Sequence, residues 1–176
     1  IAGERVRLAM GLSLRSAQKR MLMTEGMDQA AIAEQYYEPP LINIIPYACH
    51  KCPTNQYRVT EGCQNCLAAS CQQVCPRNAI SIINGRSHID PDKCIKCGKC
   101  QKACPYNAII HLDRPCAAAC GMDAIQSDVY GRATINQEKC VSCGQCLVSC
   151  PFGAIVDKGQ IFQVIQSILK GDQVIA

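Results

Sequence analysis

Cys94-Ile95-Lys96-Cys97-Gly98-Lys99-Cys100-Gln101-Lys102-Ala103-Cys104-Pro105 and, further on, Cys140-Val141-Ser142-Cys143-Gly144-Gln145-Cys146-Leu147-Val148-Ser149-Cys150-Pro151 follow one pattern, C-x2-C-x2-C-x3-C-P. That spacing is a ligand pattern for paired 4Fe–4S clusters. Three cysteines in a tight loop reach three corners of a cubane, and the fourth corner needs a thiolate from elsewhere. The last cysteine of each run therefore crosses to the other cluster. With 16 cysteines in 176 residues, ligand spacing rather than a single motif organises the chain.

The end of the run recurs four times: Cys75-Pro76-x-x-Ala79-Ile80, Cys104-Pro105-x-x-Ala108-Ile109, Cys120-Gly121-x-x-Ala124-Ile125 and Cys150-Pro151-x-x-Ala154-Ile155. An internal repeat of this kind predicts one supersecondary unit used four times, a helical turn after the cysteine and then a strand. Asn84-Gly85, between Ser81-Ile82-Ile83 and Arg86-Ser87-His88-Ile89, predicts a two-residue hairpin. Val129 to Ile135 reads as its counterpart. Gly98 and Gly144 fall between the second and third cysteines of their runs, where a missing side chain serves either a turn or an approach of backbone N–H groups to sulfide.

The first repeat is a variant, Cys63-x2-Cys66-x4-Cys71-x3-Cys75-Pro76, and it is still a set of four. By the crossing rule, Cys63, Cys66, Cys71 and Cys104 hold a first cluster, and Cys94, Cys97, Cys100 and Cys75 a second. The third repeat keeps only Cys116-x3-Cys120. Cys120 then closes a third cluster with Cys140, Cys143 and Cys146. Cys116 and Cys150 are left, together with the pair Cys49-x2-Cys52, and these four make the set for a fourth cluster. A zinc ribbon is the competing reading, because Cys49-x2-Cys52-x10-Cys63-x2-Cys66 is close to structural zinc spacing. It would strand Cys71, Cys104, Cys116 and Cys150. His50, beside Cys49, is a further candidate ligand, although the thiolates already suffice in number.

Composition limits the other classes. Cysteine at this density in a small secreted protein would suggest a disulfide framework. The first residues carry no apolar signal core, and no apolar run is long enough to span a bilayer. Thiolates that must stay reduced point to the cytoplasm. The sequence has no Trp and only 2 Phe, so clusters would stand in for a conventional core. The formal charge of +4 misleads: an oxidised four-thiolate cubane carries about −2, and four of them would bring the total to roughly −4. No long basic run suggests nucleic acid. Asp113 and Asp123 have no carboxylate partner at a spacing suited to acid–base work, and no nucleotide-binding glycine loop is present.

At the ends, residues 4–35 read as a helical docking arm or hairpin interrupted at Gly11 and Gly26, with Tyr36 to Pro40 breaking it ahead of a strand from Leu41 to Ile45. Ile161 to Lys170 reads as a helix stopped by Gly171, and Asp172 to Ala176 as the start of a strand. The chain begins with Ile, and both ends are expected to be cut from something longer.

The stretch from Tyr36 through the last repeat resembles the N-terminal iron–sulfur region of group B iron-only (FeFe) hydrogenases. The residues that carry the likeness are Pro40-Leu41-Ile42-Asn43-Ile44-Ile45-Pro46, the Cys49/Cys52 pair, the x4-spaced first run, and Arg114-Pro115-Cys116 with its truncated repeat. Four-cluster electron-transfer subunits of molybdenum oxidoreductases are the nearest alternative parent. The resemblance implies an anaerobe's electron relay between a soluble carrier such as ferredoxin and a hydrogenase catalytic domain C-terminal to Ala176, with no catalytic site in this chain itself. The expected fold is α+β: two tandem or nested ferredoxin-like modules of the bacterial two-cluster type behind an N-terminal helical arm. The expected layout is an arm over 1–40, a first module over 41–112, a second over 113–158, and a helix and linker over 159–176. The lead-in at 41–62 supplies Cys49 and Cys52 to the second module.

Overall fold

The computed structural model describes residues 1–16, 21–31, 39–173 and 175. The chain divides into two compact units, one formed by Pro53–Arg114 and the other by Ile1–Cys52 with Pro115–Ala176. Both are mixed assemblies of very short helices and two-stranded antiparallel sheets.

In the Pro53–Arg114 unit, β2 (Gln56–Val59) pairs with β5 (Ile109–Leu112), placing Val59 opposite Ile109. The hairpin of β3 (Ile80–Ile83) and β4 (Arg86–Ile89) turns through Asn84 and Gly85, at φ 50° and 73°. Positive φ at both central residues is the mirror-image turn that matches strand twist, and Asn-Gly supplies it with little strain. Each of α3 (Ser70–Gln73) and α4 (Lys99–Ala103) is about one turn long. The core is Cys71, Ile80, Cys100 and Ile109, with Tyr57, Val59, Cys75, Ile89 and Cys104 against it.

The other unit repeats this plan. Strand β1 (Ile42–Ile44) pairs with β8 (Ile155–Asp157), β6 (Ile125–Ser127) pairs with β7 (Ala133–Ile135), and α5 (Pro115–Ala118) and α6 (Gln145–Val148) are single turns. Its core is Ile42, Cys116, Ala133, Cys146 and Ile155. The agreement extends to individual bonds. The Ile45 N–H donates to the Ala154 carbonyl at 2.8 Å, as the Thr60 N–H does to Ala108 at 2.8 Å. Likewise Asn136 donates to Ala124 and Asp90 to Ala79, both at 2.8 Å.

The helical arm expected over 4–35 is broken where its glycines were read as interruptions. Among the described residues, helix occurs there only as α1 (Ala2–Ala9) and the short α2 (Met27–Ala30). Gly11 is the reason. At φ 79° it closes a left-handed cap, with its own N–H on the Leu8 carbonyl and the Leu12 N–H on that of Arg7. The chain then folds back around Arg7, which is buried and donates to the carbonyls of Ser13, Leu22, Met23 and Glu25. Glu4 accepts from both the backbone and the side chain of Arg15, at 3.0 and 2.6 Å. Burial alone would raise its pKa, but these bonds and the Arg15 charge hold the carboxyl below its ordinary range. Residues 17–20 and 32–38 of the expected arm lie outside the described residues.

Helix α1 lies against β8 and the residues just after it, through close backbone contact. The Gly159 N–H donates to the Leu8 carbonyl at 2.8 Å, and a Cβ at Gly159 would lie 2.6 Å from the Ala9 carbonyl oxygen. At the other end α7 (Ile161–Lys170) stops at Gly171, φ 79°, as its sequence suggested. Val174 and Ala176 of the strand expected beyond it are not among the described residues.

Gly159→Ala is expected to lower stability by about 1–3 kcal/mol, because the clash is with backbone that has no alternative rotamer. Denaturant titration of the variant checks this, with hydrogen exchange showing loss of protection in α1; unchanged protection there would contradict the contact.

Candidate metal centres

Each C-x2-C pair bends in the same way. The residue just before the second cysteine is left-handed in all four: Lys51, Asn65, Lys96 and Ser142, at φ 50°, 47°, 59° and 53°. Such a residue reverses the chain locally and turns successive N–H groups toward a common concave side, the arrangement that favours negative charge. The Cys49/Cys52 pair thus has the backbone form of the pairs Cys63/Cys66, Cys94/Cys97 and Cys140/Cys143.

The third cysteine of each set sits on a one-turn helix and is buried: Cys71, Cys100, Cys116 and Cys146 are 8%, 8%, 6% and 8% exposed. Left-handed residues precede three of these helices, Ala69 at φ 44°, Gly98 at 74° and Gly144 at 78°. A Cβ at Gly98 would also stand 2.8 Å from the Tyr57 hydroxyl, whereas one at Gly144 would meet nothing within 4 Å. Both glycines serve the turn, and Gly98 in addition leaves room for the Tyr57 hydroxyl.

The repeated cysteine-to-alanine ending has its own device. Three residues after Cys75, Cys104, Cys120 and Cys150 stand Asn78, Asn107, Asp123 and Gly153, all with positive φ. Asn, Asp and Gly are the residues that tolerate this region best. The next residue then points its N–H back at the sulfur. Ala79, Ala108 and Ala124 donate to Cys75, Cys104 and Cys120 at 3.3 Å, and Ala154 donates to Cys150 at 3.4 Å. All four alanines are at most 3% exposed. A side chain larger than methyl would meet the core there.

The cysteines gather as follows. Cys63, Cys66, Cys71 and Cys104 line one cavity. Cys75, Cys94, Cys97 and Cys100 line another, and Cys120, Cys140, Cys143 and Cys146 a third. In the core of the Ile1–Cys52 and Pro115–Ala176 unit, Cys49 and Cys150 pack against the cluster that contains Cys116. Cys52 belongs to that unit too, while Cys63 and Cys66 belong to the other. Cys49 accepts an N–H from Ala133 in β7 at 3.3 Å, as Cys63 accepts one from Ser87 in β4. No three His, Cys, Asp or Glu groups among the described residues gather in the manner of a single-ion site.

These contacts act on the thiols. The backbone N–H of Ser87, then that of Asn65, holds Cys63 below the ordinary thiol range. Burial pushes Cys100 up, with the neighbouring Cys94 and Cys97 adding to it, and burial does the same to Cys146. The donor set is all thiol with N–H groups aimed at sulfur, which suits the soft, anionic chemistry of iron–sulfur clusters. His50 stacks on Phe152, ring centroids 4.3 Å apart. His111 bonds to Asn55 at 3.0 Å, and His88 lies on β4.

Comparison with known proteins agrees with this chemistry. The family of 4Fe–4S binding domains matches residues 87–110 and 133–156. A protein named "Ferredoxin 7Fe" from Hydrogenibacillus schlegelii is 46% identical over 57 residues, which is 32% of this chain and 73% of that one. An uncharacterized ferredoxin of Methanocaldococcus jannaschii is 44% identical over 52 residues, or 30% of this chain and 31% of that one. The chain thus spans about a third of the second relative.

Gly98→Ala is expected to destabilise by more than Gly144→Ala. Both pay roughly 1–2 kcal/mol for a left-handed alanine, and only Gly98→Ala also displaces Tyr57. Thermal melts followed by the visible cluster absorption of each variant test this; equal losses would remove the role given to Tyr57.

Proposed function

We propose that this chain, which belongs to the ferredoxin family of 4Fe–4S binding proteins, relays single electrons through four 4Fe–4S clusters. The first would be held by Cys63, Cys66, Cys71 and Cys104, and the second by Cys94, Cys97, Cys100 and Cys75. The third would take Cys140, Cys143, Cys146 and Cys120, and the fourth Cys49, Cys52, Cys116 and Cys150. The observation that carries this reading is the grouping of cysteines: three crossed sets each line a cavity of their own, and three members of the remaining set share one core. The two units would then be nested two-cluster modules of the bacterial type, the outer one interrupted in sequence by the inner.

Bound clusters supply one-electron redox chemistry with little change in their thiolate cage. The chain's own residues do the rest. Four one-turn helices keep a thiol buried and away from water, and left-handed turns fix the direction of its neighbours. Ala79, Ala108, Ala124, Ala154, Ser87 and Ala133 direct N–H dipoles at sulfur, which favours added negative charge and raises potential.

The wider setting is carried by the motif order, from Pro40-Leu41-Ile42 through Arg114-Pro115-Cys116. In that reading the relay runs in the cytoplasm of an anaerobe, between a soluble carrier such as ferredoxin and a group B FeFe hydrogenase catalytic domain joined beyond Ala176, and this chain has no catalytic site of its own. No helix among the described residues is long and apolar enough to cross a membrane.

Iron, zinc and acid-labile sulfide on anaerobically prepared protein test the cluster count. About sixteen iron with about sixteen sulfide per chain is expected. About twelve iron with one zinc would make Cys49 and Cys52 part of a zinc site instead. Cys116→Ser is expected to remove one cluster and spare the rest; loss of the cluster assigned to Cys140, Cys143 and Cys146 would sink the assignment. For the wider setting, the natural full-length protein should reduce a viologen dye with hydrogen, and its failure to do so would leave the relay without a hydrogenase.

A further inference from the structure

The loops that carry Cys94, Cys97 and Cys100 and Cys140, Cys143 and Cys146 are built alike and charged differently. In the Pro53–Arg114 unit, Arg77, Lys93, Lys96, Lys99 and Lys102 are all exposed around the loop that carries Cys97, itself exposed. Arg77, Lys96 and Lys99 line the same cavity as Cys75, Cys94, Cys97 and Cys100. Lys99 and Lys102 stand three apart on α4 and so share a face. Ile95, 57% exposed, sits within this collar. In the other unit the corresponding positions are Met122, Lys139, Ser142, Gln145 and Val148. Only the lysine before the run is common to both, and among the described residues Lys93 pairs with an acid, Asp90 at 3.5 Å. Asp92 is the other acid nearby, and between Lys93 and Cys104 there is none.

We infer that this collar is the docking surface for an acidic one-electron carrier protein, and that Cys97 marks where the electron enters or leaves. The inference rests on the relay reading above and adds the site and the charge of the partner. Opposite charge across a polar rim steers encounter and fixes orientation, while a small exposed apolar residue at its centre gives short-range contact. The step is a single electron passed from the reduced carrier to the chain, so that one is oxidised as the other is reduced and no proton moves. The rim at Cys143, where Lys139 is the one cation among the five corresponding positions, offers such a partner less attraction.

The test uses the fully loaded chain and an acidic 2Fe–2S ferredoxin as probe. A zero-length carbodiimide couples amines to carboxylates, and peptide mapping is expected to find the bonds at Lys96, Lys99 and Lys102. A variant combining Lys96→Asn, Lys99→Gln and Lys102→Gln, with Asn chosen for the left-handed position, should slow electron transfer about tenfold at low salt. At 1 M salt, where the Debye length is about 3 Å, variant and parent should converge. Lys139→Gln should behave as the parent throughout. Crosslinks elsewhere, an equal loss in Lys139→Gln, or a deficit that persists in 1 M salt would overturn the docking site. So would retention on a DNA duplex without crosslinking to the ferredoxin. If the loaded parent takes up no electron from ferredoxin or from a small chemical reductant, it is the relay reading itself that fails.

Discussion

Both units are built around sulfur where a protein of this size would ordinarily place large apolar side chains. Cys71 and Cys100 are two of the four residues at the centre of one core, and Cys116 and Cys146 are two of five in the other. The strands around them are three or four residues long, too short for ladders alone to hold them. What fixes them is backbone geometry directed at the thiols. A left-handed residue, then an alanine N–H on sulfur, then a strand, is the sequence of events at all four repeats. The same alanines anchor the ladders, because the carbonyls of Ala79, Ala108, Ala124 and Ala154 accept from Asp90, Thr60, Asn136 and Ile45. Ligand position and strand register are set by one residue.

The N-terminal segment follows a different logic. It contributes no cysteine, and it is organised by charge: Arg7 gathers four backbone carbonyls and Glu4 gathers Arg15. A buried guanidinium of this kind satisfies carbonyls that an irregular chain would otherwise leave unpaired. It ties Ser13, Leu22, Met23 and Glu25 back onto α1.

Much of this was legible in the cysteine spacing, because ligand geometry tolerates few spacings. The Asn84-Gly85 hairpin and the stop at Gly171 were legible for a similar reason, since positive φ selects glycine and asparagine. Where the same backbone demand falls on a residue with no such preference, the sequence is silent: Lys51 and Lys96 occupy left-handed positions that only the neighbouring cysteines require. The sulfur-directed alanines left a signal, their recurrence in four internal repeats beside Asn, Asn, Asp and Gly, but its meaning needed coordinates. In the arm over 4–35 the breaks at Gly11 and Gly26 were legible for the same reason as the stop at Gly171, whereas the bonds that Arg7 makes to the residues after it were not. Gly11 ends α1, and Arg7 draws the following residues into a loop. The stacking of His50 on Phe152 left no sequence signal at all.

The alanine N–H bonds have a consequence for how such a protein persists. The sulfur atoms at the middle of each unit are the ones that clusters would take up, and a chain made without iron would keep sixteen free thiols there. Burial of Cys100 and Cys146 as free thiols gives little of the stabilisation that ligation would bring. Cluster supply and resistance to proteolysis would then be tied together: a chain left unfilled would open more often and be cut sooner.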